Sequence, residues 1–254
     1  MKSLEDASSL LFELSNVTRL EVLTSVESEP RKLSAISKLL DIAIQETSRH
    51  LARLVKAKLA KKDAGGFYSL TPVGSQILFM LPTIRFLATN ADYFATHSME
   101  KLPNQFKSQV GVLIDSELSP HVMESFKQTE TLLRSAEQYI WIMSDQVLSS
   151  SLPLLDEALS KGVEFRIILP ECIQDMEAGS VEFEHLGKLS QPLRVEKYLE
   201  DVDIIIILSE KGALITFPTV EGKSDYLGFS VSNDTAHNWC KDLFLHFWES
   251  AKDR

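Results

Sequence analysis

Hydrophobic residues between positions 33 and 74 recur first at helical spacing and then at strand spacing. A short amphipathic pattern covers residues 33–40, a break follows at 41–43, and a longer pattern covers residues 44–57. The longer pattern predicts a buried stripe made of Ile44, Thr47, Leu51, Leu54 and Val55. Two helices joined by a short turn, the second polar on its opposite face, predict a helix-turn-helix.

Two strand-like segments follow this pair of helices. Residues 59–62 and 67–70 alternate, and Gly65 and Gly66 between them can adopt the positive φ angles of a tight hairpin. Thr71 then places a capping hydroxyl before a proline, so the next helix should begin there. The hairpin is therefore expected to be a wing beside the helix-turn-helix.

Residues 1–81 resemble the ArsR-like winged-helix domain of bacterial and archaeal regulators. The resemblance is carried by residues 47–51 (TSRHL) on the second helix and by residues 68–74 (YSLTPVG) leaving the hairpin. It implies a DNA-binding domain. Two alternatives stay open: a generic small helical domain, and a helix-turn-helix that binds only protein.

Apolar spacing predicts further helices on both sides of this region. Residues 4–15 form the first, and Thr18 is a suitable N-cap for the second. Beyond Gly74 we expect Pro82 to interrupt a helix.

A linker helix is expected within residues 82–107, with Ile84, Leu87 and Ala91 on one side. A regulator that reads a two-fold operator needs two recognition helices about 34 Å apart. We therefore place part of a homodimer interface on this helix, and packing within the monomer is the alternative.

Short apolar strands alternate with amphipathic helices in residues 108–254. Strands are predicted at 110–114, 139–143, 165–170, 193–199, 202–208, 213–217 and 226–231. Helices are predicted at 121–136, at 154–159 and after Asn233. This order predicts a mixed sheet covered on both faces. The fold class is therefore α+β or α/β: an N-terminal winged helix-turn-helix, a linker helix and a C-terminal α/β domain.

Charge is distributed unevenly along the chain. The whole chain has a formal net charge of −10, yet residues 1–80 hold 11 Lys and Arg against 9 Asp and Glu. Residues 43–62 alone hold six basic residues and one acidic residue. Positive charge concentrated at the second helix and the wing is what contact with phosphates requires.

The two cysteines, Cys172 and Cys240, lie far apart and are expected to be reduced thiols, with a redox pair as the alternative. No stretch approaches the length of apolar sequence that a membrane span needs. Residues 1–6 are polar and acidic, without the pattern of a signal peptide. We expect a cytoplasmic protein.

The C-terminal part resembles the phospholipase-D-like effector domains of archaeal regulators, in particular the family named for a methanogenesis regulator. The resemblance is carried by residues 139–143 (YIWIM), 155–166 (LDEALSKGVEFR) and 238–244 (NWCKDLF). It implies a transcription factor whose second domain senses a ligand. Phospholipase D chemistry uses histidine with a lysine two residues later, and none of the six histidines here has that lysine. We expect no catalytic site, metal or cofactor.

We predict a homodimeric regulator that binds double-stranded DNA. The residues expected to contact DNA are Gln45, Glu46, Ser48, Arg49, Arg53, Lys56, Lys61 and Lys62. A small-molecule effector is expected near Trp141, Ser144, Asp145 and Tyr226. The rival hypotheses are a diverged phosphodiesterase tethered to DNA and a protein-interaction adaptor.

Overall fold

The computed structural model describes residues 2–173 and 194–253. The chain divides into two compact units, Met1–Pro82 and Thr83–Arg254. Both combine helices with a sheet, and the predicted class of mixed helix and sheet is confirmed.

The first unit is a winged helix-turn-helix. Its helices are α1 (Lys2–Leu14), α2 (Val17–Thr24), α3 (Leu33–Leu40), α4 (Ile44–Lys56) and the start of α5 (Pro72–Thr89). Its strands are β1 (Arg31–Lys32), β2 (Ala60–Lys62) and β3 (Phe67–Leu70), in the sheet order β1-β3-β2 with antiparallel pairing. Leu23, Ile36, Leu51 and Leu59 are fully buried in its core.

Several local predictions in this unit were wrong. Asn16 rather than Thr18 caps α2, because its side chain accepts a hydrogen bond from the Arg19 amide. At the two ends of α4, Ile44 and Val55 are 57% and 37% exposed, so the buried stripe is narrower than predicted. The helix α5 continues through Pro82.

The joint between wing and α5 depends on close backbone contact. Thr71 Oγ1 accepts a hydrogen bond from the Gly74 amide at 3.0 Å and donates to the Lys58 carbonyl at 2.6 Å. A Cβ atom on Gly74 would lie 2.0 Å from the Leu59 carbonyl oxygen. The motif therefore fixes where the wing ends and α5 begins.

The second unit is built on a seven-stranded mixed sheet. Its strands are β4 (Glu117–Leu118), β5 (Tyr139–Met143), β6 (Glu164–Pro170), β7 (Arg194–Leu199), β8 (Ile205–Ser209), β9 (Gly212–Thr216) and β10 (Gly228–Val231). Its further helices are α6 (Ala91–Phe94), α7 (Asn104–Lys107), α8 (Val122–Ser135), α9 (Leu152–Ser160) and α10 (Asp234–Ser250). The order is β4-β10-β9-β8-β5-β6-β7, with β5, β6 and β7 parallel and the other pairs antiparallel.

Both faces of this sheet are covered, as predicted. Successive residues of β8 alternate between the two cores: Ile206 packs on the α10 side and Ile207 on the α9 side. Asn233 caps α10 by accepting from the Ala236 amide. No helix in the described part of the chain is long and apolar enough to cross a bilayer.

The segment before the sheet differs from its prediction. Residues Val110–Asp115 form a 3-10 helix rather than a strand. Within the expected linker, Phe86, Tyr93 and Phe106 are buried in the core of the second unit, whereas Ile84 is 51% exposed. The stripe predicted for a dimer interface is thus exposed at Ile84, while another side of the segment packs within its own unit.

Candidate nucleic-acid interface

One face of α4 is an exposed polar stripe. Gln45, Ser48, Arg49 and Lys56 all lie in solvent at positions spaced three, four or seven apart, which places them on one side of the helix. The opposite side is anchored by buried Thr47, Leu51 and Leu54. Ala52 lies on the same stripe as a small residue between the polar ones, and the sequence pattern did not single it out.

Glu46 lies at the flank of this stripe. It is half-buried, and its Oε1 is 3.6 Å from Nε2 of His50 one turn later. The structure thus places Glu46 beside a histidine of its own helix.

Arg53 does not stand free as a phosphate ligand. Its Nε and a terminal nitrogen donate to the two carboxylate oxygens of Glu13 at 2.9 and 2.8 Å, and its guanidinium lies 5.3 Å from the centre of the Phe12 ring. The hydrogen bond from Arg53 is the main reason that the pKa of Glu13 is lowered. Arg53, predicted to contact DNA, thus forms a bidentate ion pair between α4 and α1, and its partner lies 40 residues away in sequence, where no local pattern signals it.

A buried arginine completes this tie. Arg19 is 4% exposed, donates to the carbonyl oxygens of Phe12 and Glu13, and lies 3.3 Å from the Glu13 carboxylate. Glu13 thus sits between two guanidinium groups.

The wing presents cations beside aromatic rings. Lys61 and Lys62 are exposed on β2, and the Lys62 ammonium lies 5.4 Å from the Tyr68 ring. Lys32 on β1, which was not predicted, is exposed and lies 4.9 Å from the Phe67 ring. The two adjacent basic residues at positions 31 and 32 are the sequence feature that could have indicated a cation at this position of the wing.

The tip of the wing is held by its own acidic residue. The Asp63 carboxylate accepts a hydrogen bond from the Phe67 amide at 2.8 Å, and Gly66 adopts a φ of 83°. Asp63 therefore has a structural role in the turn.

Three of the four candidate effector residues lie together at the ends of β5 and β10. Ser144 is buried, the Tyr226 hydroxyl donates to Asp145 at 2.7 Å, and Asp145 and Tyr226 line a cleft of about 530 Å³. Trp141 lies elsewhere: its ring is 4.7 Å from the Arg166 guanidinium and its indole N–H donates to Glu164. Packing accounts for Trp141.

Two of the described histidines and one cysteine are buried or engaged structurally. His97 is buried against Asp225 at 3.0 Å, and His237 contacts the Ser209 carbonyl at 2.7 Å. Burial raises the pKa of Cys240, while Cys172 is exposed. His185 and most of the predicted acidic loop at 171–190 lie outside the described residues. Across residues 2–173 and 194–253, no group of three or more metal-ligating side chains is clustered.

No family model matches the chain, and no curated protein matches it. Among solved structures, it is similar to TrmBL2, an archaeal chromatin protein, with 12% identity over 94% of each chain and a TM-score of 0.45. It is similar to NucT from Helicobacter pylori, with 12% identity over 55% of this chain and 98% of that chain and a TM-score of 0.42. It is also similar to RosA, a dimethyltransferase from Streptomyces davawensis, with 9% identity over 78% and 65% and a TM-score of 0.29. At these identities and TM-scores, the similarities carry no argument about function.

Proposed function

We propose that the chain is a sequence-specific, double-stranded DNA-binding transcriptional regulator. The observation that carries this proposal is the exposed stripe of Gln45, Ser48 and Arg49 near the start of α4, backed by a buried apolar side and flanked by a cationic wing. An α-helix with this arrangement fits the major groove of B-form DNA.

The side chains of the stripe have the chemistry of base readout. Arg49 can donate two hydrogen bonds to guanine, and the Gln45 amide can pair in the same way with adenine. Lys56, Lys61 and Lys62 supply point charges for phosphates, which set affinity and its dependence on salt. Lys32 is proposed to contact phosphates as well, because it lies in the same wing sheet.

We propose that the regulator acts as a homodimer. Exposed large apolar side chains occur on several elements of the first unit, among them Leu4, Leu11 and Phe12 on α1 and Phe79 and Met80 on α5. Large apolar side chains exposed side by side, such as Leu11 with Phe12 and Phe79 with Met80, are candidates for the dimer interface. The second unit is proposed to sense a small molecule without catalysing a reaction, since no histidine in the chain has the lysine that phospholipase D chemistry needs.

The test is fluorescence anisotropy with a duplex selected from a random pool by the wild-type protein. Arg49→Ala should weaken binding by about 5- to 150-fold, the equivalent of 1–3 kcal/mol for a bidentate contact to guanine. The matched control is Arg134→Ala, which removes an exposed arginine of the second unit that pairs with Glu130 of its own helix. Equal binding by Arg49→Ala and wild type at every salt concentration would show that this face of α4 is not the interface.

A further inference from the structure

A small internal cavity of about 20 Å³ lies between α8 and the sheet of the second unit. Its walls include four buried hydroxyl side chains, each at most 5% exposed: Ser125, Thr129, Ser144 and Thr216. The volume is enough for one ordered water molecule. The cavity is thus lined mainly by apolar side chains, with these hydroxyl groups set among them.

Two of these hydroxyls have no partner. Neither Ser125 Oγ nor Thr216 Oγ1 makes a hydrogen bond to any described residue, and each of these residues is 1% exposed. A buried hydroxyl without a partner destabilises a fold, whereas an alanine or valine there would not. Thr129 shares the buried face of α8 with Ser125, whereas Leu133 on that face and Leu214 on β9 are apolar. The two hydroxyls therefore point to a ligand rather than to packing.

A surface groove of about 380 Å³ adjoins the cavity. Phe126, Thr129 and Leu148 line both spaces, so these side chains lie at the boundary between the cavity and the groove. Met123 and Leu154 add apolar walls to the groove, Ser150 and Ser151 add hydroxyls, and Lys127 and Glu130 add charged side chains. The groove alone has the volume of an ordinary small-molecule site, and a rotation of Phe126 or Leu148 would join it to the cavity.

We propose that this combined pocket binds the effector, an uncharged molecule with an apolar body and one hydroxyl or carbonyl group. The polar group bonds Ser125 and Thr216 in the cavity, and the apolar body lies in the groove against Phe126 and Leu148. No charged side chain lines the cavity among the described residues, and burial of an ion there would be unfavourable. The inference rests on the proposed function, in which the second unit senses a small molecule.

The test measures binding of three ring compounds to the full chain without DNA: benzyl alcohol, toluene and benzoate, each followed by ligand-observed NMR. Benzyl alcohol should bind about tenfold more tightly than toluene, because it satisfies the two hydroxyls, and benzoate should not bind. The double variant Ser125→Ala with Thr216→Val should bind benzyl alcohol no more tightly than toluene. The control Thr131→Ala, on the exposed side of α8, should keep the preference.

Absence of a preference for the alcohol, or a preference that survives in the double variant, would overturn the proposal and leave the cavity as a water site. If the double variant folds poorly, the smaller change Ser125→Ala is tested alone. It should reduce the preference for benzyl alcohol over toluene to half or less. Because no DNA is present, undiminished DNA binding by Arg49→Ala, the result that would refute the proposed function, would not affect these results. Failure of the DNA-binding proposal and failure of the ligand-binding proposal can therefore be distinguished.

Discussion

Replacing Glu13 with glutamine should strengthen DNA binding by releasing Arg53. In the structure both Arg53 donors are directed at the Glu13 carboxylate, at 2.9 and 2.8 Å, so the positive charge of Arg53 is largely neutralised. Glutamine keeps one acceptor for Arg19 but removes the negative charge. Arg53, at the last turn of α4, then becomes available to a phosphate.

The magnitude follows from counterion release. Each additional phosphate contact changes the slope of log K against log salt by about −0.9, which corresponds to roughly 3- to 8-fold tighter binding near 0.1 M salt. The stability cost should be small, because the Arg53 side chain is 43% exposed and surface pairs are screened.

The assay is anisotropy over a salt series, with urea unfolding in parallel. The matched control is Glu157→Gln, which removes a carboxylate whose pKa is likewise lowered, chiefly by its hydrogen bond from Lys161 on the second unit. The control should leave the salt slope unchanged. An unchanged slope or weaker binding in Glu13→Gln would refute the idea that Glu13 holds Arg53 away from DNA.

Two further predictions concern stability. Gly74→Ala should destabilise the first unit by about 1–3 kcal/mol or more, because its Cβ would lie 2.0 Å from the Leu59 carbonyl oxygen. Urea unfolding monitored by circular dichroism measures this loss of stability. An unchanged unfolding midpoint would contradict the close approach. Because the pKa of Glu13 is lowered from 4.5 in the folded state, the carboxylate should stabilise the fold fully above pH 4.5, and this stabilisation should be lost as the pH falls through the lowered pKa. The loss should be absent in Glu13→Gln. The same acid dependence of stability in both proteins would contradict this prediction.

The sequence predicted elements well where periodicity was strong and local. The uninterrupted run of four isoleucines from Ile204 to Ile207 identified a strand buried on both faces, and the aromatic stripe of α10 identified a core helix, since Trp239 and Leu243 are buried. The paired signals of Thr71 and Gly74 placed the end of the wing within a residue. Each of these depends on residues near one another in the chain.

Predictions were wrong where tertiary contacts decide. Residues 110–114 are apolar enough for a strand, but pack as a 3-10 helix under the sheet. The most buried positions of α8 are Ser125, Thr129 and Leu133, although Phe126 and Leu132 are the more hydrophobic choices. Hydroxyls in a core position conflict with the binary pattern, and such conflicts are expected at functional sites.

For the candidate interface, the sequence identified the polar face of α4 but not which of its side chains form ion pairs. Exposure of Gln45, Ser48 and Arg49 follows from helical periodicity. The pairing of Arg53 depends on α1 folding against α4, and no residue near Arg53 indicates it.

Contact between α4 and DNA can be measured most directly by photo-crosslinking. p-Benzoylphenylalanine is incorporated in place of Ser48, in the middle of the exposed stripe, and in place of Thr131 on the exposed side of α8 as the control. The protein labelled at position 48 should crosslink to the selected duplex, and an excess of unlabelled duplex should abolish the crosslink. Equal crosslinking from position 131, or none from position 48 while the protein still binds the duplex, would contradict the account.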